Sequence, residues 1–112
     1  MHQAINEAKK AFKADEIPVG AVIVKDGKII SRAYNKREQT QMATYHAEIL
    51  AIQKACKKLG SWRLDGCQMY VSLEPCPMCL GAAINARLSA IYYGADEKTS
   101  GHHISHIITS SA

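Results

Sequence analysis

The chain has 112 residues, room for one core, and is 47% apolar and 21% charged, the balance of a folded globule rather than a disordered tail. No apolar run approaches the roughly 20 residues needed to cross a bilayer, and the start "MHQAINEAKKAFK" lacks a signal peptide's apolar stretch and cleavage site, so the cytoplasm is the expected compartment and no membrane partner is expected. The net charge of +4 suits a polyanionic partner, and four cysteines in a reducing compartment point to metal or catalysis before disulfides.

Residues 2–14 carry Ile5, Ala8, Ala11 and Phe12 at helical spacing with lysines on the other face, which predicts a first helix with those four turned inward. Two strands, 18–24 (PVGAVIV) and 28–34 (KIISRAY), flank Asp26-Gly27, a strong hairpin signal. Arg32, Lys36 and Arg37 gather at the end of the second strand and in the loop after it, a candidate phosphate-contacting cluster. A second helix is expected from near His46, with Ile49, Ile52, Cys56 and Leu59 as its apolar stripe, Lys57 and Lys58 at its negative end and Gly60 as its stop.

Residues 68–73 (QMYVSL) read as a strand, and a largely apolar helix from Pro77 to about Leu88 follows, Pro77 fitting the first helical position. "SAIYYG" (89–94) reads as another strand. Strand, helix, strand at this length is a crossover unit, so these two strands should be parallel and central. Past Gly94 a loop is expected, turning helical near its end and carrying His102, His103 and His106. Cys56 and Cys67 are expected to be buried thiols. The order α-β-β-α-β-α-β implies a single domain over 1–112, a three-layer α/β fold with a mixed sheet.

The chemistry concentrates in "SLEPCPMC" (72–79) and "YHAEILA" (45–51). Cys76 would cap the helix that begins at Pro77 and Cys79 would lie one turn further in, both sulfurs meeting at a helix N-terminus, where the positive dipole end lowers thiol pKa. Two thiolates do not complete a zinc site, and His46, at the start of a helix docked on the same sheet face, is the third donor. A His-Cys-Cys set leaves the fourth position open, as a catalytic zinc requires. Glu48, two residues past His46, would reach the same cavity as a proton carrier. The rival set is Cys76/Cys79 with His102/His106, a closed finger-like site. The intervening residues, however, carry a helix and a strand, and His46 and Glu48 would be left without a role.

His-Ala-Glu followed by Pro-Cys-x-x-Cys is the signature of the zinc nucleobase deaminases. With "EIPVGAVIVKDGKII", "AYNKRE", "HAEILAI", "LGSWRLDGC" and "YVSLEPCPMC", the chain resembles the bacterial tRNA-specific adenosine deaminases of the cytidine deaminase superfamily. The resemblance implies a three-layer α-β-α cytidine deaminase-like fold and one Zn2+ per chain on His46, Cys76 and Cys79. It also implies catalysis by Glu48, base contacts from the Asn35 side chain and the Ala47 backbone N–H, and a homodimer acting on the wobble adenosine of a tRNA anticodon loop. In two places the sequence departs from the family. Met42-Ala43-Thr44-Tyr45 replaces the usual Asp-Pro-Thr-Ala, placing the Tyr45 ring beside the expected pocket, and the family's C-terminal strand and helix are expected to be lacking. The alternatives are a small-molecule deaminase of guanine or cytosine type and a zinc-stabilised RNA-binding module without activity.

Overall fold

Asp26 and Gly27 both take positive φ, 51° and 76°, the left-handed pair that a two-residue turn between twisted strands requires. The turn joins β1 (Gly20–Lys25) to β2 (Lys28–Tyr34) in the antiparallel hairpin expected from the sequence, with a bulge where the register shifts between Ile23 and Val24. The computed structural model describes residues 1–94 and the backbone of 105–108. On the other side of β1 lies β3 (Cys67–Val71), antiparallel, and next to it β4 (Ala90–Tyr93), parallel to β3 as a crossover through a helix demands.

A fifth strand, β5 (Ser105–Ile108), runs antiparallel on β4 and pairs Tyr92 with His106, giving the order β2-β1-β3-β4-β5. This corrects the expected loop turning helical, at least over 105–108. The segment "SHII" is short and β-branched, and the free edge of β4 offers it backbone partners that no local pattern in the sequence announces. His102 and His103 lie outside the described residues.

The two faces of the sheet alternate as the pleat requires. Ala21, Ile23, Met69, Val71 and Ile91 point into the larger core, which α3 (Ala47–Leu59) and α4 (Pro77–Asn85) cover. On the opposite face α1 (His2–Lys13) lies against β1 and β2, completing the three layers. Ala4, Ala8 and Ala11 make its buried face, while Phe12 is 63% and Ile5 41% exposed, so the helix is rotated from the face its larger apolar residues suggested. The cause is Gly20. A Cβ there would lie within 2.6 Å of the Ala4 carbonyl oxygen, the Ala8 nitrogen and the Glu7 Cβ, so the helix rides directly on the strand and admits only small side chains. A similar rotation occurs in α3, where Ala47, Ala51 and Ala55 are fully buried while Cys56 is half-buried. Among the described residues no helix is long and apolar enough to cross a membrane.

Candidate active site

Two helices begin side by side, and each spends its first residues on the same cavity. α3 has His46 at its N-cap and α4 has Cys76, both in extended backbone conformation. Neither side chain caps its own helix, although N-cap side chains commonly do so, and both point instead to a shared spot. Pro77 at the first helical position of α4 has no N–H to satisfy, and Cys79, 1% exposed, stands one turn in.

Cys76 Sγ lies 3.6 Å from Cys79 Sγ and 3.7 Å from His46 Nδ1, and Cys79 Sγ lies 3.6 Å from His46 Nδ1. A tetrahedral zinc with bonds of about 2.3 Å to sulfur and 2.0–2.1 Å to nitrogen would space its donors ~3.8 Å (S···S) and ~3.6 Å (S···N). The three donors therefore fit that ion to within about 0.2 Å by bond geometry. Among the described residues this is the one group of three His, Cys, Asp or Glu side chains that could hold a metal ion. Burial, with the Glu48 carboxylate next in weight, pushes the Cys79 thiol far up, so the metal-free pocket keeps a neutral thiol and a cation is what would ionise it.

Glu48, in the first turn of α3, is 4% exposed, and its Oε1 is fully buried with no hydrogen-bond partner among the described residues. Burial raises its pKa, offset in part by its own backbone N–H, the Cys79 side chain and the His46 charge. A carboxyl that exchanges its proton closer to neutrality, with one oxygen left unpaired beside three metal donors, is suited to moving protons.

His46, Glu48 and Cys76 line a cavity of about 170 Å³ together with Asn35, Arg37 and Ala47, a volume below the roughly 300 Å³ at which drug-sized sites begin and suited to a single base. Ala47 is the first residue of α3, so its N–H has no carbonyl one turn back within the helix. The Asn35 side chain, 5% exposed, accepts the Arg37 N–H at 3.1 Å, and its Nδ2 lies 3.5 Å from the Ile17 carbonyl oxygen. An amide offers two donors and two lone pairs, so half of its capacity stays available to a ligand.

The basic cluster expected here disperses. Arg32 reaches back to Gln3 on α1 at 3.1 Å, Lys36 sits 4.9 Å over the Tyr34 ring, and Arg37 alone of the three lines the cavity. Tyr45, expected beside the pocket, is not among the residues that line the cavity. It packs against the core just before the N-cap of α3, a position where an apolar residue commonly meets the helix's fourth residue, here Leu50. Ile17, Val19, Leu73 and Glu74 complete the wall. The sequence signal for the first two was the start of strand one, but only the assembled sheet shows that this end opens on the cavity.

Residues 1–110 match the model of the MafB19-like deaminase family. The chain is 52% identical over 101 residues to a tRNA-specific adenosine deaminase of Bacillus subtilis, an alignment covering 90% of this chain and 63% of the relative, so it spans a little under two thirds of that protein's length. Among solved structures it is similar to one from studies of A-to-I editing by tRNA:A34 deaminases at the wobble position of transfer RNA. The TM-score there is 0.84 at 46% identity, over 87% of this chain and 75% of the other. It is also similar to guanine deaminase from Bacillus subtilis, with a TM-score of 0.83 at 47% identity, over 87% of this chain and 62% of the other.

Proposed function

Because the chain belongs to the MafB19-like deaminases and to the tRNA-specific adenosine deaminases, we propose that it hydrolyses adenosine to inosine at the wobble position of a tRNA anticodon. The observation that carries the reading is the unpaired, buried Oε1 of Glu48 beside the His46/Cys76/Cys79 donors in a base-sized cavity. Those three residues hold one zinc per chain, and zinc bound there supplies the Lewis acidity that brings a water molecule into the ionisable range near pH 7.

The rest is done by the chain's own groups. The Ala47 N–H and the Asn35 amide hold the flipped base on its polar edge, and Val19 and Ile17 keep its faces dry. Glu48 takes a proton from the attacking water and delivers it to the purine ring nitrogen N1, making C6 electrophilic. As the C6–O bond forms, Glu48 carries a second proton to the amino group, the C6–N bond breaks, and ammonia leaves. A single-stranded anticodon loop suits such a cavity, because its bases leave the stack at little cost. The protein works as a cytoplasmic homodimer, a single domain in each copy.

A second reading rests on the similarity to a guanine deaminase: a cavity of this size also takes a free base. One assay separates the two. Zinc-loaded protein is incubated with an anticodon stem-loop carrying a wobble adenosine and, in parallel, with free guanine, cytosine, cytidine and adenosine. Inosine formed in the RNA alone, falling as salt rises, supports the wobble reading. Ammonia from a free base supports the second, and RNA binding without ammonia would leave only a binding module.

A further inference from the structure

The helix α2 (Arg37–Thr40) is four residues long and has no side-chain cap of its own, since its N-cap residue is Lys36. Its three leading N–H groups are nonetheless all satisfied. Arg37 N–H donates to Asn35 Oδ1 at 3.1 Å, Glu38 N–H to Glu16 Oε1 at 3.0 Å and Gln39 N–H to Glu16 Oε2 at 2.6 Å. Glu16 is 5% exposed, lies 22 residues away in the chain, and spends both carboxylate oxygens on these two amides. The neighbouring residues of its segment continue the brace. The Ile17 carbonyl faces Asn35 Nδ2, and the Val19 carbonyl accepts the Asn35 N–H at 3.1 Å.

We propose that Glu16 is a positioning residue of the substrate pocket: by capping α2 from a distance it fixes the backbone on which Asn35 and Arg37 enter the cavity. A four-residue helix is too short to persist by propensity, so its geometry depends on its cap. Charged acceptors make the stronger hydrogen bonds to backbone amides, and here two share one rigid group. Without Glu16 the Asn35 Oδ1–Arg37 N–H contact loses the turn that sets it, and the half-buried Arg37 side chain, for which no ion pair occurs among the described residues, is free to leave the wall. Asn35 and Arg37 act on substrate before and during reaction alike, so the loss falls on binding rather than on the chemical step.

This inference rests on the substrate reading above, and its test keeps the two apart. In the full chain, Glu16→Ala and Glu16→Gln are compared with the parent by amide hydrogen exchange, zinc content and steady-state kinetics on the stem-loop. The Ala variant should exchange the Glu38 and Gln39 amides at least about tenfold faster while Met69 in β3 is unchanged. It should keep its zinc, and its KM should rise about tenfold, equivalent to about 1.4 kcal/mol, with kcat within roughly threefold. The Gln variant keeps one acceptor and should fall between. A Glu16→Ala protein that only melts earlier, with parental KM and exchange, would overturn the proposal, as would loss of zinc with kcat. If the parent itself does not deaminate RNA, the substrate reading has failed, and the exchange rates of 38 and 39 still decide whether the brace exists. If the Ala variant fails to fold, the same comparison is made on Gln.

Discussion

Replacing Glu48 with Gln separates proton transfer from metal binding and from folding. The amide has nearly the same shape, so the cavity and the three metal donors persist, and zinc content should equal the parent's. A positioned general acid–base is worth about 10²–10⁴ in rate, and the upper end is expected here because the only other carboxylate on the cavity wall among the described residues, Glu74, is exposed. The same substitution has a stability signature in the metal-free protein. Burial raises the Glu48 pKa in the folded chain above its ordinary value of 4.5, so between that value and the folded one the folded state binds more protons than the unfolded state. Its contribution is therefore fully present below pH 4.5 and lost as pH rises through the folded value. Once pH passes the folded value the parent carries a buried charge with one oxygen unpaired, and removing it should recover about 1–3 kcal/mol, or roughly 4–20 °C in Tm for a domain of this size. The assays are ammonia release, metal analysis, and melting at pH 5 and pH 8 with chelator. Zinc-loaded Glu48→Gln turning over within tenfold of the parent would refute the role, and equal pH slopes for the two metal-free proteins would refute the burial argument.

Cys76→Ser or His46→Ala should lose most of the zinc, measured by metal analysis, whereas His102→Ala should retain it; the reverse pattern would favour the finger-like set. Asn35→Ala should lower kcat/KM on the stem-loop about tenfold or more, for one base-edge contact worth roughly 1–3 kcal/mol, with little change in circular dichroism. Gly20→Ala should force α1 off β1, because its Cβ would meet helix backbone at 2.2–2.3 Å. The expected cost is at least the 1–3 kcal/mol of an overpacked core, about 4–20 °C in thermal melts.

The site was legible because its residues are chemically specific and its spacing is short: His46 and Glu48 lie within one turn, as do Cys76 and Cys79. The crossover also read correctly, since β3, α4 and β4 leave no room for another connection. What escaped was whatever depends on backbone atoms meeting at a distance. Glu16 was one acidic residue in "EIPVG", and nothing in side-chain patterning reveals that its acceptors serve amides 22 residues on. The rotation of α1 and α3 escaped because hydrophobicity ranks Phe12 and Cys56 above alanine, whereas close approach to the sheet ranks size first. The strand at 105–108 escaped because it forms on a neighbour's edge rather than by its own periodicity.

The pairing of two helix N-caps has a consequence for the chain as a polymer. His46 and Cys76 are 30 residues apart, so one ion gripping both ties a loop that spans α3, β3 and the turn into α4. A cross-link closing a loop of that length removes about 3.6 kcal/mol of freedom from the unfolded ensemble on the chain-entropy estimate used for disulfides. Among the described residues α4 makes its close backbone contacts with α3 and none with a strand, so the tie reinforces the seam that holds α4 to the layer. Chelation should thus loosen the floor of the cavity first, exposing the amides of the leading turns of α3 and α4 to exchange while the β1–β3 ladder stays closed.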